Sequence, residues 1–172
     1  MARILGIDPG SLVTGWGIVD QDGSRLSRVA SGVIRTGGEE FVQRLRVIAR
    51  ETAALVAEFE PTEVAVERAF VHRNADSALK LGHARAAAIC GTFGRELPVF
   101  EYAPRDVKQA VVGGGAASKE QVQHMVALLL ALPPGLQADE ADALAVALTH
   151  ALRRPMNQKL AGLLPAKRSR RR

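Results

Sequence analysis

The chain has 172 residues, of which 47% are hydrophobic and 4% aromatic, with one cysteine and a formal charge of +5. That length suits a single domain with a full core, and the composition excludes a disordered chain. No run approaches the ~20 apolar residues of a membrane span, and a lone Cys90 excludes an internal disulfide. Five of the 23 basic residues (Lys167, Arg168, Arg170, Arg171 and Arg172) fall in the last six positions, which leaves 18 basic against 18 acidic residues elsewhere. Nucleic-acid binding therefore does not follow from net charge and has to come from local patches. The chain enters a strand pattern almost at its first residue, without the basic, apolar and cleavage segments of a secretory signal, and reads as cytoplasmic.

Residues 3–8 form a short apolar strand, and residues 13–20 a second one after a Pro9-Gly10-Ser11 turn. Asp22-Gly23 signals a hairpin into a third strand over 26–35. Gly37-Gly38 then breaks the chain. A helix over 39–59 follows, with Phe41, Leu45, Ile48, Thr52, Leu55 and Phe59 on one stripe, and Pro61 stops it. Residues 63–67 are a fourth strand. A loop from Arg68 to Asn74 leads to a helix over 75–93 whose stripe Leu79, Gly82, Ala86, Ile89 and Phe93 suits packing on the sheet or a subunit contact. Cys90 on this helix reads as core. A fifth strand over 97–101, a short helix over 104–111 and a mobile Gly113-Gly114-Gly115 loop come next. Ser118 and Gln121 form a capping box for a helix to about 132. Pro133-Pro134-Gly135 separates it from a last helix over 139–152. The order predicts one mixed-sheet α/β domain over 1–155 and a basic, disordered tail over 156–172.

Four carboxylates stand out against this frame. Asp8 ends the apolar run Ile4-Leu5-Gly6-Ile7, and Glu67 ends Val64-Ala65-Val66. Asp139 and Asp142 are three apart at the start of an apolar helix, so they share a face. Taken singly, each has an ordinary structural explanation as a turn or capping residue. Together, at the ends of buried elements, they repel one another and are costly to desolvate. Hard divalent cations relieve both costs, which points to metal-dependent phosphoryl transfer.

Four segments then resemble one family in order: ILGIDPGSLVTGWGIV, AVERAFVHRNADSALKLGHARA, PVFEYAPRDVKQAVVGGGAASKEQVQHMV and QADEADALAVALTH. This is the RuvC family of Holliday-junction resolvases, in the ribonuclease H/retroviral integrase superfamily. The resemblance implies a ribonuclease H-like five-stranded mixed sheet flanked by helices. It also implies a catalytic, metal-binding tetrad of Asp8, Glu67, Asp139 and Asp142, two Mg²⁺ ions with Mn²⁺ as a substitute, and Asp8 as the bridging ligand. The expected substrate is a four-way DNA junction, cut by paired nicks that leave 5′-phosphate and 3′-hydroxyl ends. The expected partners are a second copy in a homodimer and the RuvA–RuvB branch-migration complex. Lys108 and Lys119 become phosphate contacts, and Phe70 a residue that stacks on an unpaired base. Arg68, Arg73, Lys80 and Arg85, against Asp76 alone, form a basic patch for DNA. Glu140, about 100° around the helix from its neighbours, is expected to face solvent.

Two other readings share parts of the pattern. Gly6 to Gly17 also resembles the first phosphate loop of sugar kinases and actin-like ATPases, although those enzymes need a second similar domain. A junction-binding protein with vestigial carboxylates is the other.

Overall fold

The computed structural model describes residues 1–38, 40–68, 74–133 and 135–163, with 155–163 described by backbone alone. In chain order the elements are β1 (Ala2–Asp8), β2 (Val13–Asp22), β3 (Arg25–Arg35), α1 (Phe41–Phe59), β4 (Glu63–Glu67), α2 (Ala75–Gly91), β5 (Val99–Tyr102), α3 (Pro104–Val112), α4 (Lys119–Leu129) and α5 (Ala138–Leu163). They build one sheet in the order β3-β2-β1-β4-β5. The hairpin strands β1, β2 and β3 pair antiparallel, and β4 runs parallel to both β1 and β5. This is the mixed five-stranded sheet flanked by helices that the sequence predicts.

Alternation along the strands divides the core. Leu5, Ile7, Ile18, Val64 and Val66 face α1 and α2, where they meet Ile48, Val56, Ala84 and Ala88. Ile4, Val19 and Ala65 point to the opposite face, against residues of α3, α4 and α5. Leu144 and Leu148 of α5 are fully buried there, each contributing about 1.5–3 kcal/mol.

Glycines set how closely α5 approaches the sheet. A Cβ at Gly6 would lie 2.3 Å from the Ala143 carbonyl oxygen, one at Gly15 1.9 Å from that of Asp139, and one at Gly17 2.6 Å from Leu144 Cδ2. These three positions face α5, so the helix backbone rests directly on β1 and β2.

Two expectations are corrected. The last helix does not end near residue 152; its backbone runs to Leu163. Pro155 has no N–H to give to the Ala151 carbonyl, and that carbonyl instead accepts a 2.8 Å hydrogen bond from Gln21 Nε2 on β2. Cys90 is exposed rather than core, because α2 buries only the narrow strip Ala84, Ala88 and Gly91. Of the stripe that suited either sheet packing or a subunit contact, Ile89 packs on the core, while Leu79, and Phe93 just past the helix, are 64% and 65% exposed. The Gly113–Gly115 loop is fastened by Gln109, which donates to the Gly113 carbonyl at 2.7 Å and accepts from the Gly115 N–H at 3.1 Å. The capping box at Ser118 and Gln121 is present as predicted.

Candidate active site

Strand parity brings the carboxylates together. Residues 4, 6 and 8 of β1 share a face, as do residues 63, 65 and 67 of β4, and both sets face α5. The β1–β4 register pairs Ile7 with Val66, so Asp8 and Glu67 follow side by side at adjacent strand ends. On the other flank Asp8 pairs with Gly15 of β2, and the Asp139 backbone sits on Gly15. The first turn of α5 is thereby set over the C-terminal end of β1. Asp8, Glu67 and Asp142 line one cleft of about 280 Å³ with Pro104, Val107, Lys108, Lys119 and Val122. Asp139 lies at its margin, close enough for its charge to act on Lys119.

The electrostatics are those of too many anions for the cations present. Burial pushes Asp8 up to about 8, reinforced by the charges of Glu67 and Asp142 and by a hydrogen bond to Glu67. Burial also raises Glu67, with Asp142 adding to it, while the hydrogen bond with Asp8, Lys119 and Lys108 oppose the shift. The two strand-end carboxyls therefore resist ionising together. Lys119 forms an ion pair with Asp142 at 3.2 Å, and Asp142, with Asp8 and Asp139 behind it, holds the ammonium above its ordinary pKa.

A divalent cation fits this donor set. All four side chains offer the hard oxygens that Mg²⁺ and Mn²⁺ prefer, and a cation would let Asp8 and Glu67 ionise together. Among the described residues, no group of three or more His, Cys, Asp or Glu side chains is gathered closely enough to hold an ion as it stands. Asp142 is directed at Lys119 rather than at the two strand-end carboxylates.

The expected DNA contacts divide. Lys108 of α3 and Lys119, the first residue of α4, line the cleft. Lys80 does not, and is paired along its own helix with Asp76 at 2.6 Å. Part of the basic patch is paired within the fold: Arg68 lies 3.6 Å from Glu101, and Arg85 also pairs with Glu101. Phe70 and Arg73 lie outside the described residues.

Glu140 contradicts its expected solvent exposure. Its side chain is 14% exposed and forms a 3.2 Å ion pair with Arg28. It also accepts a hydrogen bond from Ser31. Sequence reasoning also missed a buried network further along α5, around His150. The Tyr102 hydroxyl meets His150 Nδ1 at 2.7 Å, His150 Nε2 meets Glu63 at 2.5 Å, and Arg154 Nε meets both Glu63 oxygens at 2.9 and 3.0 Å.

Residues 4–150 match the family described as crossover junction endodeoxyribonuclease RuvC. The chain belongs to that family. Its members are divalent-metal-dependent nucleases, which sets aside the ATPase reading of Gly6–Gly17. The fold is similar to the Thermus thermophilus RuvC solved in complex with Holliday junction substrate, at 35% identity and a TM-score of 0.85, covering 91% of this chain and 97% of that one. A second Thermus thermophilus RuvC structure matches at 36% identity and a TM-score of 0.81, covering 90% and 96%. The yeast mitochondrial Holliday junction resolvase Ydc2 shares the fold at 12% identity, with a TM-score of 0.67 over 94% of this chain and 84% of that one. Among the described residues no helix is long and apolar enough to cross a membrane.

Proposed function

We propose that this chain resolves four-way DNA junctions in the cytoplasm, as a homodimer that nicks two strands of like polarity and leaves 5′-phosphate and 3′-hydroxyl ends. The observation that carries this reading is the cleft where Asp8, Glu67 and Asp142 meet Lys108 and Lys119, in a chain of the crossover-junction nuclease family.

Asp8, Glu67, Asp139 and Asp142 would hold Mg²⁺, two ions per site, with Mn²⁺ able to substitute. When bound, such ions supply an activated water, offset phosphate charge and stabilise the leaving oxygen. The chain's own residues do the rest. Lys108 and Lys119 present positive charge beside the acids and orient the backbone phosphate. Val107 and Val122 wall the cleft and limit water on that side. Phe70 stacks on an unpaired base at the crossover, and Arg73 and Lys80 contact flanking phosphates.

The dimer reading is supported by α2. Its outward stripe exposes Leu79 and Phe93, and Gly82 between them has open space around its Cα. A two-fold partner laid on this stripe would bury both side chains and allow close helix approach. Two sites related by two-fold symmetry match the symmetry of a four-way junction. The RuvA–RuvB complex is the proposed partner that delivers the junction.

Cleavage of a labelled synthetic junction in Mg²⁺, beside a linear duplex of the same sequence and an Asp8→Asn control, tests the proposal. The expected result is paired symmetric nicks in the junction alone, lost in the variant. Tight junction binding without nicks across varied metals and sequences would leave a junction-binding module instead.

A further inference from the structure

We propose that Glu140 is a positioning residue for the metal-binding acids, acting through an anchor between the first turn of α5 and strand β3. The proposal rests on the metal site described above, since it concerns what holds Asp139 and Asp142 in place.

Side chains of β3 reach α5 from one face of the strand. Arg35 donates to Gln137 at 3.0 Å. Ser31 donates to Glu140 and accepts from Arg28 Nε, while Arg28 Nη2 reaches Glu140 at 3.2 Å. Simple alternation would not give this set. Residues 35, 33 and 31 share a face, so 29 would be next. The β2–β3 register slips here, pairing Ile18 with Ala30 but Val19 with Arg28. This bulge turns Arg28 to the α5 face and leaves Val29 41% exposed. The strand spends a residue to aim an arginine at Glu140.

Glu140 lies directly between the two helical acids in sequence, and it is the residue of that first turn with a charged partner on β3. The charge of Asp142 opposes ionisation of Asp8, so once Asp8 ionises the turn has an electrostatic reason to rotate away from the sheet. A small rotation suffices to matter. At a side-chain radius of about 6 Å, a turn of about 5° moves a carboxylate by roughly 0.5 Å, the tolerance of a functional constellation. Partly exposed ion pairs add little to stability, yet this one constrains rotation, the coordinate on which metal geometry depends. It should therefore affect metal affinity far more than melting temperature.

The test is metal binding to DNA-free, full-length protein, read by Mn²⁺ electron paramagnetic resonance or titration calorimetry. Four variants are compared with wild type: Glu140→Ala, Glu140→Gln, a β3 double variant Arg28→Met with Ser31→Ala, and the combination of that double variant with Glu140→Ala. Asp142→Asn serves as the reference for loss of a ligand. The expected result is about a 10-fold weaker metal affinity in Glu140→Ala and a similar loss in the β3 double variant. The combination should be no worse than either alone, and Glu140→Gln, which keeps an acceptor for Ser31 and Arg28, should be intermediate. Melting temperatures should stay within a few degrees of wild type, and junction cleavage should recover at high metal concentration.

Unchanged metal affinity in Glu140→Ala, with Asp142→Asn impaired, would overturn the proposal and leave the metal site standing. A full loss in Glu140→Gln without any loss in the β3 variant would also overturn it, making Glu140 a contributor of charge only. Unchanged metal binding in Asp142→Asn would instead remove the site on which the proposal rests.

Discussion

Glu63 and Glu67 stand four residues apart on the same strand, on the same face, under the same helix, and they are opposites. Glu63 is compensated: His150 and Arg154 hold its carboxyl below the ordinary range, against the upward push of burial. Burial keeps His150 itself below its ordinary value, and its ring bridges the Tyr102 hydroxyl and Glu63. Tyr102, His150, Glu63 and Arg154 partner one another there. Glu67 is raised by burial and by Asp142, against the hydrogen bond with Asp8 and the charges of Lys119 and Lys108. Around His150 α5 carries a compensated network, and at its first turn it meets a set of acids short of positive charge. The difference separates a carboxylate that holds the fold from one that awaits a ligand.

The comparison makes its largest claim about substitutions at these two positions. Glu67→Gln should lower junction cleavage by about 100-fold or more, since even indirect support of a metal ligand is worth 10–100-fold, and should cost little stability. Glu63→Ala should do the reverse. It strips the partner from His150 and Arg154 and should cost about 3 kcal/mol, the low end for breaking a buried pair because Arg154 is partly exposed. Its cleavage rate, measured below its melting temperature, should stay within about 3-fold. Parallel cleavage and denaturation measurements decide it. A Glu63→Ala protein that is folded but inactive would erase the division between the two ends.

A smaller effect is expected where the two ends meet the sheet. Gly15→Ala puts a methyl 1.9 Å from the Asp139 carbonyl oxygen, a backbone atom that moves only with the turn of α5. The cost should be about 1–3 kcal/mol, the range for overpacking, accompanied by weaker metal binding because Asp139 and Asp142 ride on that turn. At the far end of β2, Gly23 has nothing within 4 Å of its added Cβ. Gly23→Ala should cost stability through its positive φ while leaving metal affinity unchanged. Chemical denaturation and metal titration of both variants read the contrast directly.

Much of this arrangement was legible in the sequence, and the misses share a cause. Asp8 and Glu67 could be placed because each ends an apolar run, and strand parity needs only local sequence. Ser118 and Gln121 were readable for the same local reason. Glu140 was misread because 100° of rotation ordinarily leads from a buried face to water. Here α5 is buried on most sides, and the adjacent direction leads to β3, aimed by a bulge that no local pattern announces. The basic stretch around Arg68 and Arg85 meets Glu101 of a neighbouring strand, a partner that local sequence does not announce. Cys90 was misread because an apolar helix was credited with a wider buried face than Ala84, Ala88 and Gly91 provide. Each error concerns a partner distant in sequence, where composition and periodicity carry no information.

The finest test of the contrast is its pH dependence. At the Glu63 end, the carboxyl and His150 both have folded values below their unfolded ones. Their contribution to stability is present above about pH 6.5, the ordinary His value, and is lost as pH falls through the lowered folded values. At the Asp8 end the sign is opposite. Asp8 rises from 3.8 to about 8, so its contribution is fully present below about pH 4 and is lost as pH rises toward 8, because the unfolded chain ionises freely and the folded one resists. Asp8→Asn removes that penalty. In chelator, the variant should gain little over wild type near pH 4 and on the order of 1 kcal/mol near pH 8, in the range of relieved surface and cleft charge. Saturating Mg²⁺ should shrink or reverse the gain, since a cation favours the ionised carboxylate that only the wild type has. A variant that is less stable than wild type at pH 8 without metal would mean that Asp8 is satisfied by its neighbours, as Glu63 is, and the two ends of the helix would no longer differ in kind.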